Sequence, residues 1–472
     1  MRTVCSSCLT LTLTLALAGA SPNAAAQSSR APAPEHTLTR GVLGTEPLVD
    51  PRLKELDAWV RAHPEPFPNG VGIVLIQDGE VIFAKGYHGF LAERVEPIAS
   101  STKWISGLAI ADAIVDEQIP QLTASTPIAR FVPEFFESVG NDGSPDKRGI
   151  TLAQAFSHTS GFPKNSEFPS YHLYWPATHE WAVGQISEIP LAGDPGGQII
   201  YGGFGMHAAG LAVANALGTD WASFVDETLF TPLGMSRTDY DAFTDPDQAP
   251  TLNPSVPGGI GTTIEDYARF LMMLNLDGRV GLEQVIDPRA IELLTSDLAG
   301  PATPIVSSPY TAYEPFVPGI GAYRTGFGCY IDPERVTTTG RARYATSAGL
   351  YGTNAFVDSD RRVTGVMFTF NDERGFYVDP ETGARSSYNP STRAFVEQIW
   401  PRIESGLDPF CGPGDVTAPA GVFNGDDVSA AVKGIVAADN PFYDFNRDGV
   451  IDFLDIFAYL DLASIGCRPI GS

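Results

Sequence analysis

The amino-acid sequence predicts an α+β fold in which strands from the two ends of one long domain share a sheet and helices fill the middle. Apolar runs rich in β-branched residues and bounded by turn residues cluster at 72–84 and return at 322–370. Between them, apolar residues recur at helical spacing. Strands grouped at the ends of a helical segment mark an α+β domain, not an alternating α/β one.

Element by element, Met1-Arg2, the Leu9–Leu17 run and Ala24-Ala25-Ala26 read as an export signal cleaved after Ala26, leaving 27–45 as a flexible leader. The domain spans 46–406 and opens on a helix carrying Leu53, Leu56, Trp59 and Val60. Strands at Gly72–Ile76 and Val81–Ala84 flank Asp78-Gly79, a hairpin turn pair. Helices are expected at 101–117, 151–158, 203–217 and 220–230, and another from Thr262-Thr263-Ile264-Glu265, a capping-box pattern, through Leu274. Strands follow at Ala322–Ile331, Tyr344–Val357 and Val363–Phe370, then a closing helix at 391–404. Composition shifts at Gly406-Leu407-Asp408-Pro409, so 407–412 reads as a linker and 413–472 as a separate acidic module. No internal repeat occurs within the main domain.

The chain is 43% hydrophobic and 18% charged, ordinary for a globular protein, but its net charge is −26. Such a surface repels nucleic acid and anionic lipid, which excludes both as expected partners. The export signal's apolar run is too short for the roughly 20 residues that a bilayer span needs, and no later run qualifies. Of five cysteines, Cys5 and Cys8 leave with the export signal, Cys411 and Cys467 flank the last module and would suit a disulfide, and Cys329 reads as a buried thiol.

Chemistry concentrates at Ser100-Ser101-Thr102-Lys103, which runs into the apolar Trp104–Ile110. Residues three apart share a helix face, so the Lys103 amine can take the Ser100 proton, and a helix start adds free N–H groups for a developing oxyanion. Ser144-Pro145-Asp146-Lys147 has the same spacing but lies in a polar, turn-rich stretch and reads as a solvated connection. A rival nucleophile, Ser347 within Ala345-Thr346-Ser347-Ala348-Gly349, approximates the elbow of α/β-hydrolases. That elbow needs a later histidine, and none follows His207.

Further motifs accompany Ser100 in order: Ile150–Gly161, ending in His158-Thr159-Ser160-Gly161; Pro195-Gly196-Gly197 before Tyr201-Gly202-Gly203; Thr231-Pro232-Leu233-Gly234-Met235; and Gly258-Gly259-Ile260-Gly261-Thr262-Thr263. Together they resemble the β-lactamase-related serine hydrolases, the penicillin-binding and class C β-lactamase-like proteins, from about 50 to 400. The resemblance implies a β-lactamase/transpeptidase-like antiparallel sheet with a helical subdomain. It also implies Ser100 as nucleophile, Lys103 as the group that activates it, Tyr201 as proton shuttle, and the N–H groups of Ser100 and Leu350 as oxyanion hole. Ser347, Ala348 and Gly349 fall on the family's substrate-binding strand, and Gly203 on a substrate-side position. His158 is implied to be structural.

Two departures bear on substrate. Gly203 stands where many relatives carry an asparagine that contacts the lysine, and Ser347-Ala348 where β-lactamases hold a substrate carboxylate with a cation and a hydroxyl. An anionic antibiotic would lose a charge-assisted bond of roughly 1.5–3 kcal/mol, so an uncharged ester or amide is the expected substrate. Arg343 is the nearest cation in sequence. The other readings are an acylatable or inactive sensor, and a β-lactamase or D-alanyl-D-alanine carboxypeptidase. No cofactor is expected in catalysis.

In the terminal module, Asp444, Asn446, Asp448, Asp452 and Asp455 fill positions 1, 3, 5, 9 and 12 of a Ca2+ loop, with Gly449 at the sharp turn and the Val450 carbonyl as a further ligand. Asp455 and the following Ile456–Leu460 resemble a dockerin repeat. That resemblance implies a cohesin-like or cell-surface protein partner. Residues 415–427 look like a degenerate first repeat.

Overall fold

The computed structural model describes residues 47–407, apart from 118, 138–144, 175–176, 244–249, 338–340, 379, 381–382 and 384. The leader, the linker beyond Leu407, the calcium-loop residues and the Cys411/Cys467 pair lie outside these residues.

An eight-stranded sheet forms the frame. Its strands are β1 (Leu48–Val49), β2 (Val71–Gln77), β3 (Glu80–Tyr87), β4 (Arg324–Thr325), β5 (Tyr330–Ile331), β6 (Tyr344–Ala348), β7 (Asn354–Asp358) and β8 (Val363–Phe368). They lie in the order β1-β3-β2-β8-β7-β6-β5-β4, every neighbouring pair antiparallel. The terminal strands therefore share one sheet as the sequence predicts, joined where β2 meets β8 with Gly72 opposite Phe368 and Gln77 opposite Val363. Asp78 and Gly79 both have positive φ, 54° and 76°, which matches their turn to the right-handed twist of β2 and β3.

Helices cover both faces of the sheet, so β2 is buried at every position and shows no apolar–polar alternation. On one face Ile73, Leu75 and Phe83 pack with Leu56 and Val60 of α1 (Lys54–Ala62) and with Phe395 and Ile399. On the other, Val74, Ile76 and Ala84 belong to the larger core of the helical half, with Trp104, Ile105 and Leu108 of α2 (Thr102–Val115). Also in that half are α3 (Leu152–Phe156), started by a Thr151/Gln154 capping box, α4 (Phe204–Leu217), and α5 (Ile264–Asn275), whose first turn Thr263 caps.

Two predicted strands are each split by a turn. The 322–331 run becomes β4 and β5 around Gly326–Cys329, with Gly328 at φ 90°, and the 344–357 run becomes β6 and β7 around Gly349–Thr353, with Gly352 at φ 96°. Both runs read as continuous because their apolar residues persist through the turns. The helix at 221–233 and the closing one at 390–406 continue through π turns at Asp226–Phe230 and Phe395–Ile399. Helices His179–Ser187 and Pro288–Leu294 have no counterpart in the sequence reading.

The β4–β5 turn presses directly on α2. A Cβ on Gly107 would overlap the Phe327 carbonyl oxygen, and one on Gly328 the Lys103 carbonyl oxygen. Gly107→Ala gains about 1 kcal/mol of helix propensity, whereas overpacking costs about 1–3 kcal/mol even where flexible side chains are the neighbours. Here the neighbour is backbone, so the substitution is expected to lower the melting temperature by several degrees. An unchanged melting temperature would show that the Phe327–Gly328 turn yields.

Candidate active site

Ser100 sits in the single turn Ala99–Ser101 that leads into α2, and the chain reaches it through a strained step: Ala99 has φ 46°, in the left-handed region that side chains avoid. Neighbours on two sides hold the turn. The Ile98 N–H donates to the Ile260 carbonyl at 3.0 Å and the Ile260 N–H to Thr102 Oγ1 at 3.2 Å, while Ser101 Oγ donates to the Ser347 carbonyl at 2.9 Å. Gly349 completes the fit, since a Cβ there would overlap the Ile98 carbonyl oxygen.

Lys103 is the second residue of α2, one turn on from Ser100, with only 5% of its surface exposed. A buried amine is costly unless partnered. Its Nζ donates to Ser100 Oγ at 3.0 Å and to the Pro257 carbonyl at 2.8 Å, and stands 5.1 Å from the centre of the Tyr201 ring. On the other side of the serine, Tyr201 Oη lies 2.6 Å from Ser100 Oγ. Tyr201 follows the short strand Ile199–Ile200, and its N–H donates to Ser307 Oγ at 2.9 Å. A half-buried hydroxyl thus has an amine and a phenol within hydrogen-bond reach, a geometry able to move its proton.

His158 does not touch Ser100 in this arrangement. Its ring packs 4.9 Å from that of Tyr201 and 6.0 Å from that of Tyr330, and its Nδ1 faces the Gly202 N–H at 3.4 Å. Burial and the nearby Lys103 charge push it down to about 3, so it is a neutral wall behind Tyr201.

The strand residues assemble beside the serine. Ser347 is buried, Ala348 packs in the same apolar cluster as Tyr201, and Leu350 is 53% exposed at the turn, its carbonyl taken by Asn389 Nδ2 at 3.1 Å. Arg343 does not reach them: it lies four residues upstream of Ser347, about 13 Å along a strand, and pairs with Asp360 at 3.3 Å. The second Ser/Lys tetrad has a different character from the solvated connection the sequence predicts. Ser144 lies outside the described residues, but Lys147 is buried and donates to the Ser187 carbonyl at 2.7 Å.

At Gly203 an amide comes from elsewhere in the chain. The Gly203 N–H donates to Asn165 Oδ1 at 2.8 Å, and a Cβ at 203 would stand 2.8 Å from Pro257 Cγ and 3.3 Å from Asn165 Nδ2. Asn165 and Pro257 thus fill the room that a side chain at 203 would need. Sequence reading missed both, because no local pattern ties residues 38 positions apart, although Pro257 directly precedes the Gly258-Gly259 signature. Among the described residues, no group of three His, Cys, Asp or Glu is placed to hold a metal ion, and no helix is long and apolar enough to cross a membrane.

A family model described as Beta-lactamase matches residues 56–385. A candidate D-alanyl-D-alanine carboxypeptidase of Escherichia coli O157:H7 is 25% identical over 206 residues, which cover 40% of this chain and 46% of that protein. The lovastatin esterase of Penicillium rubens is 28% identical over 193 residues, covering 35% and 45%. The chain thus spans about half the length of the sequence relatives it matches. A solved structure of a candidate β-lactamase from Bacteroides dorei superposes with a TM-score of 0.59 at 24% identity, covering 74% of this chain and 97% of that one. The fold is the mixed β-lactamase/transpeptidase-like one, an antiparallel sheet with helices.

Three more buried histidines stand beyond Asn165. His172 Nε2 lies 3.4 Å from Asn165 Nδ2, His207 Nε2 bonds Asn253 Oδ1 at 2.9 Å, and His179 Nε2 bonds the His207 carbonyl at 2.9 Å. Burial holds His172 at about 3, His179 at about 4 and His207 well below its ordinary value. A histidine depressed in the folded state lets the unfolded chain bind more protons, so stability is full above about pH 6.5 and falls as pH drops toward the folded-state value. At pH 5 His172 and His179 each cost about 2 kcal/mol, and His207 acts in the same direction. Asp112, raised by burial to about 6, acts oppositely and returns about 1 kcal/mol at that pH. Buried Glu96 and Asp266 are also raised. The histidines outweigh Asp112, and the urea midpoint is expected to drop markedly from pH 7 to pH 5. Equal midpoints at the two pH values would mean that these rings are already charged in the fold.

Proposed function

Because the chain belongs to the Beta-lactamase family, we propose that it is an exported serine hydrolase that forms an acyl intermediate on Ser100 and acts on an uncharged ester or amide. The observation that carries this reading is Ser100 Oγ held 3.0 Å from Lys103 Nζ and 2.6 Å from Tyr201 Oη. Ser100 Oγ attacks the carbonyl carbon and its proton passes to the member of the Lys103–Tyr201 pair that lacks one, a neutral Nζ or a phenolate Oη. Negative charge on the carbonyl oxygen is received by the N–H groups of Ser100 and Leu350. As the bond to the leaving group breaks, Tyr201 returns the proton to the departing oxygen or nitrogen. A water then attacks the acyl-serine, its proton moving through the same pair, and the acid leaves with Ser100 restored.

An uncharged substrate is favoured because Ser347-Ala348 offers no cation and Arg343 is paired elsewhere. The name of the Penicillium rubens relative, lovastatin esterase, supports the ester side of this reading. Ser100→Ala is expected to abolish ester turnover without loss of fold, since a half-buried hydroxyl at a helix start adds little to the core. Lys103→Ala and Tyr201→Phe should each lower kcat by orders of magnitude, because groups that share one proton act as a unit. Intact-mass detection of an acyl adduct, absent in Ser100→Ala, identifies the nucleophile, and turnover separates an enzyme from an acylatable sensor. Native turnover retained in Ser100→Ala would overturn the assignment.

For the C-terminal segment we propose a dockerin-like Ca2+ site on Asp444, Asn446, Asp448, Val450, Asp452 and Asp455, serving attachment to a cohesin-like protein. Support comes from the ligand spacing, which matches six loop positions that offer hard oxygens to one cation. Calorimetric titration of the full chain with Ca2+ is expected to show heat of binding that Asp444→Ala with Asp455→Ala removes, while ester turnover stays as in the native chain. Absence of binding heat in the native chain would leave the segment an acidic turn.

A further inference from the structure

Two aromatic groups flank Ser100 at different levels along β6. Tyr330 pairs with Thr346, and the Tyr201 ring lies 6.3 Å from Tyr330, so the proton-moving phenol stands at the Thr346 end. Ser100 follows at the level of Ser347–Gly349, where Ser101 and Ile98 meet the strand. Beyond it come Leu350 and Tyr351, whose ring lies 6.4 Å from that of Phe243 and 4.8 Å from that of Phe370. At about 3.3 Å per residue, the rise from Thr346 to Gly349, where the turn to Leu350 and Tyr351 begins, separates the two levels by about 10 Å.

The far wall is apolar, open and firmly held. Phe243 is 40% exposed, Leu350 53% and Val95 43%. The Leu350 and Tyr351 carbonyls are held by Asn389 Nδ2 at 3.1 Å and the Asn371 N–H at 2.8 Å, and Gly352 closes the turn onto the Gly349 carbonyl at 3.0 Å. Next to Phe243, Ala242 bonds the Gly259 carbonyl at 3.2 Å, and a Cβ on Gly261 would touch both Val95 Cγ1 and Ala242 Cβ. The loop that carries the Lys103 acceptor thus also carries Val95 and Phe243 to this end. None of these side chains is charged.

Resting on the serine-hydrolase reading above, we infer that Val95, Phe243, Leu350, Tyr351 and Phe370 form the subsite for an apolar, uncharged acyl group of an ester substrate. The assignment to the acyl side follows from direction. A leaving group must depart where Tyr201 can protonate it, at the Thr346 end, and the oxyanion faces the N–H groups of Ser100 and Leu350. The acyl chain takes the remaining direction, toward Tyr351 and Phe243. A fixed apolar wall favours each added methylene about threefold to fourfold in kcat/KM while the chain still lies against it.

The full chain is assayed with p-nitrophenyl acetate, butyrate and hexanoate, with the p-nitrophenyl ester of monomethyl-capped succinate and its free-acid counterpart, and with ethyl, butyl and hexyl acetate. Expected are a kcat/KM that climbs about tenfold or more from acetate to butyrate, a free acid at least tenfold below its methyl ester, and no comparable climb along the alcohol series. Phe243→Ala is expected to cut the hexanoate-to-acetate ratio at least fivefold, and Tyr351→Leu to cut it less. Phe243 is exposed, so its truncation leaves the fold standing. A flat acyl series, or a ratio unchanged in Phe243→Ala while Ser100→Ala still abolishes turnover, overturns this subsite and leaves the hydrolase reading intact. Native turnover in Ser100→Ala overturns both.

Discussion

Everything in the site hangs on the docking of one turn, Ile98–Ser101, between the C-terminal end of β6 and the 257–261 segment. Three hydrogen bonds fix it, from Ile98 to Ile260, from Ile260 to Thr102 and from Ser101 to Ser347. Each uses a backbone group that would otherwise be buried without a partner, so the turn cannot shift without leaving a polar atom unsatisfied at about 1–3 kcal/mol. The positive φ of Ala99 persists because this surrounding framework over-determines it.

From that anchor the positions of the chemical groups follow. α2 begins where the turn ends, so Lys103 must point back at Ser100 from one helical turn away, and its Nζ is buried between partners already fixed by other contacts. The 257–261 segment has a double part, because its Ile260 holds the turn while its Pro257 carbonyl receives the lysine. Tyr201 arrives from a third region, stiffened by His158 and Tyr330 behind the ring and by Ser307 under the backbone. Three chain segments thus meet at one hydroxyl without any of them being free to move independently.

The sheet explains why such distant segments can be registered so closely. β2 and β8 pair residues about 290 positions apart, which locks the two ends of the domain into one rigid frame. The helical half is tied to that frame by α2, packed so closely against the β4–β5 turn that glycine is required on both sides. Stability and site geometry therefore share the same contacts. The four buried neutral histidines of the helical half add an acid sensitivity to that structure without contacting Ser100.

What the sequence by itself determined was local and periodic. The Asp78-Gly79 hairpin, the helical middle, the capped start at Thr262-Thr263, and the Ser100/Lys103 spacing on one helix face are all set by residues within a few positions of one another, where backbone preference and side-chain period act directly. Tyr201 was legible through its motif. Only the tertiary structure decided the rest. It broke two apolar runs into hairpins at glycines, turned Lys147 inward, sent Arg343 to Asp360, and brought Asn165 and Pro257 to Gly203. The physical reason is the same in each case: an apolar run, a cation or an amide has no preferred partner until packing selects one. That selection depends on segments dozens to hundreds of residues away, whose approach no local pattern encodes.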